Sequence, residues 1–200
     1  MSEQSGTDAA AGQGERPLRA DARRNRQRVL EVAAAAFTSE GPGVSVHEIA
    51  RRAGVGTGTV SRHFPTKDAL FQAIVLDRIE RCVTTARTLA ETLEPGAAFF
   101  AYFTFMVDEG AVDRALAEAL VGGGFDIEAA AGRSEHDITG ALHRLLTTAQ
   151  QAGSIRADVD VADVKALVTG CLARERGHAD QAARQRMIAM ACNGLRPPVA

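Results

Sequence analysis

Between Thr57 and Lys67 the chain reads TGTVSRHFPTK. The groups there that can do chemistry are hydrogen-bonding ones: the hydroxyls of Thr57, Thr59 and Ser61, the Arg62 guanidinium, the His63 imidazole and the Lys67 ammonium. A guanidinium can bond guanine O6 and N7 together, a threonine can meet a base edge or a thymine methyl, and cations can meet phosphate. Gly58 adds no side chain, which lets a helix backbone lie close to a duplex. The chemistry on offer is recognition of DNA. No nucleophile-elbow, dinucleotide, Walker or zinc-protease pattern occurs anywhere in the chain, so an enzyme is not expected.

Such groups read DNA only if a rigid element holds them outward. Ser45 with Glu48 three residues on is a capping-box start for a short helix to about Ala53. Gly54-Val55-Gly56 then supplies a tight turn. A second short helix follows from about Thr57 to Phe64 and stops before Pro65. Ile49, Ala50, Ala53, Val55, Val60 and Phe64 fall at inward spacings, so the expected unit is a helix-turn-helix over about 45–64. A preceding helix, from near Asp21 to about Glu40, offers Val29, Ala33, Ala36 and Phe37 to that motif before Gly41-Pro42-Gly43 ends it. Around its start lie Arg16, Arg19, Arg23, Arg24, Arg26 and Arg28, either a solvated helix start or an arm and first turn that touch phosphate or a minor groove.

The run IARRAGVGTGTVSRHFPTKDAL resembles the N-terminal signature of TetR-family transcriptional repressors: an Ile-Ala, an Ala-Gly-Val turn, a Gly-Thr pair, then His-Phe and Thr-Lys. The resemblance covers roughly Ala22 to Cys82. It implies that His63 and Lys67 grip phosphate. Ser61 stands where the family commonly has a tyrosine, so the phosphate contact that a phenol makes there is missing from the expected set. Residues and resemblance together nominate Arg23, Arg24, Ser45, Thr57, Gly58, Thr59, Ser61, Arg62, His63 and Lys67 for DNA contact.

Charge is distributed accordingly. The chain of 200 residues has a net charge of only −2. Yet residues 16–67 hold ten Arg and Lys against four acids, which leaves −8 for the remainder. A positive head that meets phosphate and an acidic body that stays off it is the natural reading. Cys82, Cys171 and Cys192 are far apart and show neither zinc nor disulfide spacing, so they read as small buried groups of a reducing cytoplasm. No apolar run approaches a membrane span, and no secretory signal is visible.

The fold expected is all-α with about nine helices. Residues 1–20, without periodicity, read as a disordered arm, 21–82 as the DNA-binding head and 83–200 as a helical effector-binding and dimerisation domain. A long helix from Lys67 to about Leu93 joins the two. Residues 97–121 read as one kinked helix or two shorter ones, interrupted near Gly110, followed by a flexible connection after Gly122. Three more helices follow: from Ser134 to about Gln151 with Asp137 in a capping box, from Asp160 to about Arg174, and from about Ala179 to Asn193.

Phe99, Phe100, Tyr102, Phe103 and Phe105 are five of the nine aromatic residues and fall on several helix faces. They read either as ordinary core or, with Met106, as the lining of a cavity for an apolar or aromatic small molecule. Phe99, Phe100, Tyr102, Phe103, Met106, Phe125 and His143 are the candidate ligand residues. His136 and His143 lie seven apart without a third ligand at helical spacing, so no metal or cofactor is expected. The last two helices are apolar over much of their circumference and rich in small residues, suited to packing across a two-fold axis. Arg174, Arg176 and Arg184 would rim that contact. The resemblance likewise implies a four-helix dimer interface and an effector pocket among the middle helices. The expected function is a homodimeric, ligand-responsive regulator, most simply a repressor, with activation and effector-free architectural binding as alternatives.

Overall fold

The computed structural model describes residues 12–173 and 180–198. Nine helices run through them, with no strand among the described residues. They are α1 (Gly12–Glu40), α2 (Val46–Ala53), α3 (Thr57–His63), α4 (Lys67–Thr92), α5 (Pro95–Gly122), α6 (Ile127–Ala131), α7 (Ile138–Gln151), α8 (Val161–Ala173) and α9 (Gln181–Leu195). The chain divides into two compact units, residues 1–74 and 75–200. No described helix is long and apolar enough to cross a membrane.

In the first unit α1 packs on α2 and α3, and α2 packs on α3. Leu30, Ala33 and Phe37 of α1, Ile49 and Ala50 of α2, Val60 of α3 and Leu70 and Ile74 of α4 are all essentially excluded from solvent. Each large one of these side chains contributes about 1.5–3 kcal/mol by burial, which is what makes so small a unit hold its shape. The rings of Phe37 and Phe71 meet edge to face, their centroids 4.8 Å apart. Helix α1 begins at Gly12, earlier than the expected start near Asp21, so the last part of the arm expected over residues 1–20 is helical. Residues 1–11 and the side chains of Arg16 and Arg19 lie outside the described residues.

In the second unit α5 lies at the centre, against α6, α7, α8 and α9. It does not break at Gly110. A Cβ there would come within 2.9 Å of Leu172 Cδ1, so the glycine serves the close approach of α8 rather than a kink. Arg114 of α5 donates to the Leu172 carbonyl at 3.1 Å beside it. A helix surrounded in this way must be apolar on several faces. Phe99, Tyr102 and Phe103 are accordingly fully buried in a core with Leu142, Leu146 and Val164.

The caps set the remaining boundaries. Asp137 is itself the N-cap of α7, accepting from Gly140 N at 2.8 Å, so that helix starts at Ile138 and not at Ser134. Asp126 caps the short α6 inside the expected flexible connection, accepting from Ala129 N at 2.9 Å. Asp160 and Asp163 bond each other's backbone N–H reciprocally, and Asp180 caps α9.

Candidate nucleic-acid interface

The helix-turn-helix forms because each of its three parts has a local cause. Ser45 sits in extended conformation before α2, and its hydroxyl accepts from Glu48 N at 3.2 Å. Gly54 ends α2 at φ 66°, a left-handed geometry that disfavours any residue with a Cβ. Val55 N then donates back to the Ala50 carbonyl at 3.0 Å, which closes the turn. Gly56 starts α3 without a side-chain cap, and Phe64 ends it, its N–H on the Val60 carbonyl at 2.8 Å. Val60 and Phe64, at 1% and 4% exposure, pin α3 from one side.

The opposite side is left to solvent. Thr57, Gly58, Ser61, Arg62 and His63 are exposed and Thr59 is half-exposed. Arg62 makes no ion pair or hydrogen bond among the described residues. A Cβ added at Gly58 would meet nothing within 4 Å, so nothing in the described structure requires glycine there. Glycine in a helix costs about 1 kcal/mol relative to alanine. Thr57 Oγ1 lies 3.2 Å from His47 Nδ1, which ties the first turn of α3 to α2.

The basic residues of α2 are held differently. Arg51 and Arg52 both bond Glu48, and Arg52 also bonds Glu40 of α1. These hydrogen bonds, from Arg51 first and then Arg52, hold the Glu48 carboxyl at about 2. In α1, Arg24 pairs with Asp21, Arg26 stands over the Phe64 ring at 5.7 Å, and Arg23 is exposed.

Lys67 is placed unlike the others. It is only partly exposed, its amine donates to the Pro42 carbonyl, and it stands 5.7 and 5.8 Å from the ring centroids of Phe37 and Phe71. A phosphate contact by this ammonium would be made in addition to those partners or at their expense. The sequence held the signal in Gly41-Pro42-Gly43, which brings a carbonyl back toward the start of α4.

In the second unit the candidate ligand residues do not gather at one place. Phe99, Tyr102 and Phe103 are core, Met106 and Phe125 are half-buried and His143 is exposed. Phe100 lines a shallow cleft beneath the Arg196 guanidinium, which lies 4.4 Å from its ring centroid. A larger cleft of about 590 Å³ opens between α4, α5 and α7, and none of the seven lines it. Its walls come instead from Val83, Ala86, Ala90, Ala98, Ala141 and Leu145, with Arg87 and Arg144 beside them. Small aliphatic residues give no crowding signal in a sequence, which is why this cleft went unnoticed there.

Partly buried charged groups cluster between α4 and α5. Arg78 and Arg81 reach Glu109 at 2.9 and 3.2 Å, and Arg78 lies 3.5 Å from Asp113. Burial pushes the Cys82 thiol up to about 11, and the Tyr102 phenol upward as well. That phenol oxygen has no hydrogen-bond partner among the described residues. Arg184 of α9 pairs with Asp108 of α5 at 3.3 Å, while Arg174 and Arg176 lie outside the described residues. Among the described residues no three His, Cys, Asp or Glu converge as metal ligands.

Comparison with known proteins finds the same two parts. Residues 29–74 match the family model for bacterial regulatory proteins of the tetR family. Residues 94–197 match that for the C-terminal domain of SbtR-like transcriptional regulators. A TetR transcription regulatory protein from Mycobacterium vanbaalenii is 49% identical and superimposes with a TM-score of 0.76 over 90% of this chain and 100% of that one. A TetR transcriptional regulator from Streptomyces coelicolor is 30% identical, with a TM-score of 0.75 over 87% of this chain and 99% of that one. An HTH-type transcriptional regulator of Staphylococcus aureus is 37% identical over 68 residues, a match that spans 34% of this chain and only 37% of that relative.

Proposed function

Because the chain belongs to the TetR family of bacterial regulatory proteins, and so is a DNA-binding transcriptional regulator and not an enzyme, we propose that it acts as a homodimeric repressor released from its operator by a small molecule. The observation that carries the proposal is the outward face of α3. Arg62, without a partner among the described residues, two threonines and a glycine that the described packing does not require are held out by a helix whose other face is buried. On this reading each protomer lays α3 into a major groove, and the dimer reads a pseudo-palindrome with half-sites about one helical turn apart.

Roles within the interface follow from placement. Arg62 reads a base, Thr57 and Thr59 meet a base edge or a thymine methyl, and Gly58 lets the backbone approach. Ser45, Ser61 and His63 hold phosphate, with Arg23 and Arg24 contributing from α1. Arg24 gives up its pair with exposed Asp21 to do so, at little cost for a surface ion pair. The proposal assigns Lys67 chiefly to supporting the head, because its amine already has a carbonyl and two ring faces as partners.

Dimerisation is assigned to α8 and α9. Ala162, Ala166, Leu167, Gly170 and Ala173 of α8 are exposed, as are Ala182, Ala189 and Met190 of α9, with Met190 at 60%. Small residues with a few large apolar ones suit close helix packing across a two-fold axis. Release is a population shift: a ligand that prefers a conformation unable to place both heads lowers operator affinity by its differential binding, about 1–3 kcal/mol. Helix α4, unbroken from Lys67 to Thr92, is proposed as the transmitting element.

The test is competition binding on DNA from upstream of the gene, with excess unrelated duplex and with sedimentation run in parallel. The proposal expects discrete retention of that DNA by a dimer. Equal competition by unrelated duplex would leave an architectural DNA-binding protein in its place, and a monomer on operator DNA would remove the dimeric reading.

A further inference from the structure

Resting on that reading of the protein as effector-responsive, we infer that the cleft between α4, α5 and α7 binds an apolar molecule carrying one negative charge. The floor of the cleft is aliphatic and solvent-poor: Ala86, Ala98, Ala141 and Leu145 are exposed by only 3%, 1%, 3% and 5%. Its volume, about 590 Å³, lies in the range of small-molecule sites. An apolar body of moderate size therefore fits, and the lining contains no aromatic ring on which a ligand must stack.

The head group follows from the charges. Arg87 of α4 and Arg144 of α7 both line the cleft, and neither makes an ion pair or a side-chain hydrogen bond among the described residues. Arg51, Arg52 and Arg78 are by contrast taken up by carboxylates, the first two by Glu48 and the third by Glu109. Two guanidiniums from different helices beside one apolar floor are a site for a carboxylate or sulfonate, which each can hold by charge-assisted hydrogen bonds. Among the residues that line the cleft Glu91 is the one acid, so the lining itself carries a surplus of one positive charge. That surplus suits a monoanion and disfavours a dianion or a cation. Thr148 also lines the cleft, but its hydroxyl already donates to the Arg144 carbonyl at 2.9 Å and so is not a further donor to the anion.

The experiment measures binding to the full-length protein, without DNA, of octanoate, n-octanol and octyltrimethylammonium by titration calorimetry. Octanoate is expected to bind about tenfold or more tightly than n-octanol, and the cation more weakly still. Replacing both arginines, Arg87→Gln with Arg144→Gln, lowers octanoate to the affinity of n-octanol and leaves n-octanol unchanged. Ala90→Phe, an exposed wall position that does not touch the core, weakens octanoate and n-octanol together. Equal binding of octanoate and n-octanol, no binding of either, or octanoate affinity that survives the double Gln variant overturns the inference. Operator release, measured in parallel, separates this from the wider reading. Arginine-dependent octanoate binding without release supports the site and counts against induction through it. Release by octanoate from the double Gln variant overturns the site and leaves induction standing.

Discussion

Lys67→Met tests how the DNA-binding head is held together. The substitution keeps the length and most of the apolar stem of the side chain but removes the ammonium. In the structure that ammonium donates to the Pro42 carbonyl and lies 5.7 and 5.8 Å from the centroids of Phe37 and Phe71. A hydrogen bond from a charged donor contributes about 1.5–3 kcal/mol. A cation near an aromatic face adds about 0.5–1 kcal/mol, and both rings here lie near the outer limit of that interaction. Methionine restores some packing against the rings, so the net loss expected is roughly 2 kcal/mol. For a chain of this size that is a fall in Tm of roughly 4–8 °C, read by circular dichroism at low protein concentration. The salt dependence of operator binding, measured on the same variant, should keep nearly the wild-type slope. An unchanged Tm together with a slope shallower by about one would refute the reasoning, because it would mean that Lys67 spends its charge on phosphate.

Two further outcomes follow from the charged and buried groups. Glu48 is held at about 2 against an ordinary value of 4.5, so its contribution to stability is fully present above pH 4.5 and is lost as pH falls toward 2. Acid unfolding curves of the wild type should therefore be steeper over that window than those of Glu48→Gln, and parallel curves would show that the arginine pairs are not maintained in solution. Tyr102→Phe removes a phenol oxygen that is buried without a partner among the described residues, and it should raise stability by roughly 1 kcal/mol or more in denaturant titration. A fall in stability would show that this hydroxyl is engaged by a bound water or ligand.

The parts of the fold that were legible in the sequence are those with short-range causes. Ser45, Gly54 and Pro65 bound the two helices of the motif, and capping and glycine geometry act over a few residues, so α2 and α3 were placed nearly to the residue. Long-range causes were read less well. Gly110 has the composition of a helix break, but its reason is Leu172, sixty-two residues on in the chain, and only packing reveals that. The crowded rings of α5 read equally as core or cavity until its neighbours α7, α8 and α9 were known. Burial then took Phe99, Tyr102 and Phe103 into the core. The cleft was invisible for the opposite reason: alanines on three helices carry no periodicity that distinguishes a wall from a packed face. On α3, sequence pattern and geometry agree on which side chains are exposed, whereas the inward turn of Lys67 depends on a carbonyl twenty-five positions earlier.

The central claim is that α3 reads bases through Arg62. Its most direct test is selection from a pool of randomised duplexes with the wild type and with Arg62→Ala side by side. The wild type should enrich an inverted repeat with half-site centres roughly 34–36 Å apart. The variant should bind that sequence more weakly by about 1–3 kcal/mol and lose its preference at one base pair in each half-site. Enrichment of the same sequence by both proteins, at the same affinity and with the same preference at every position, would contradict it.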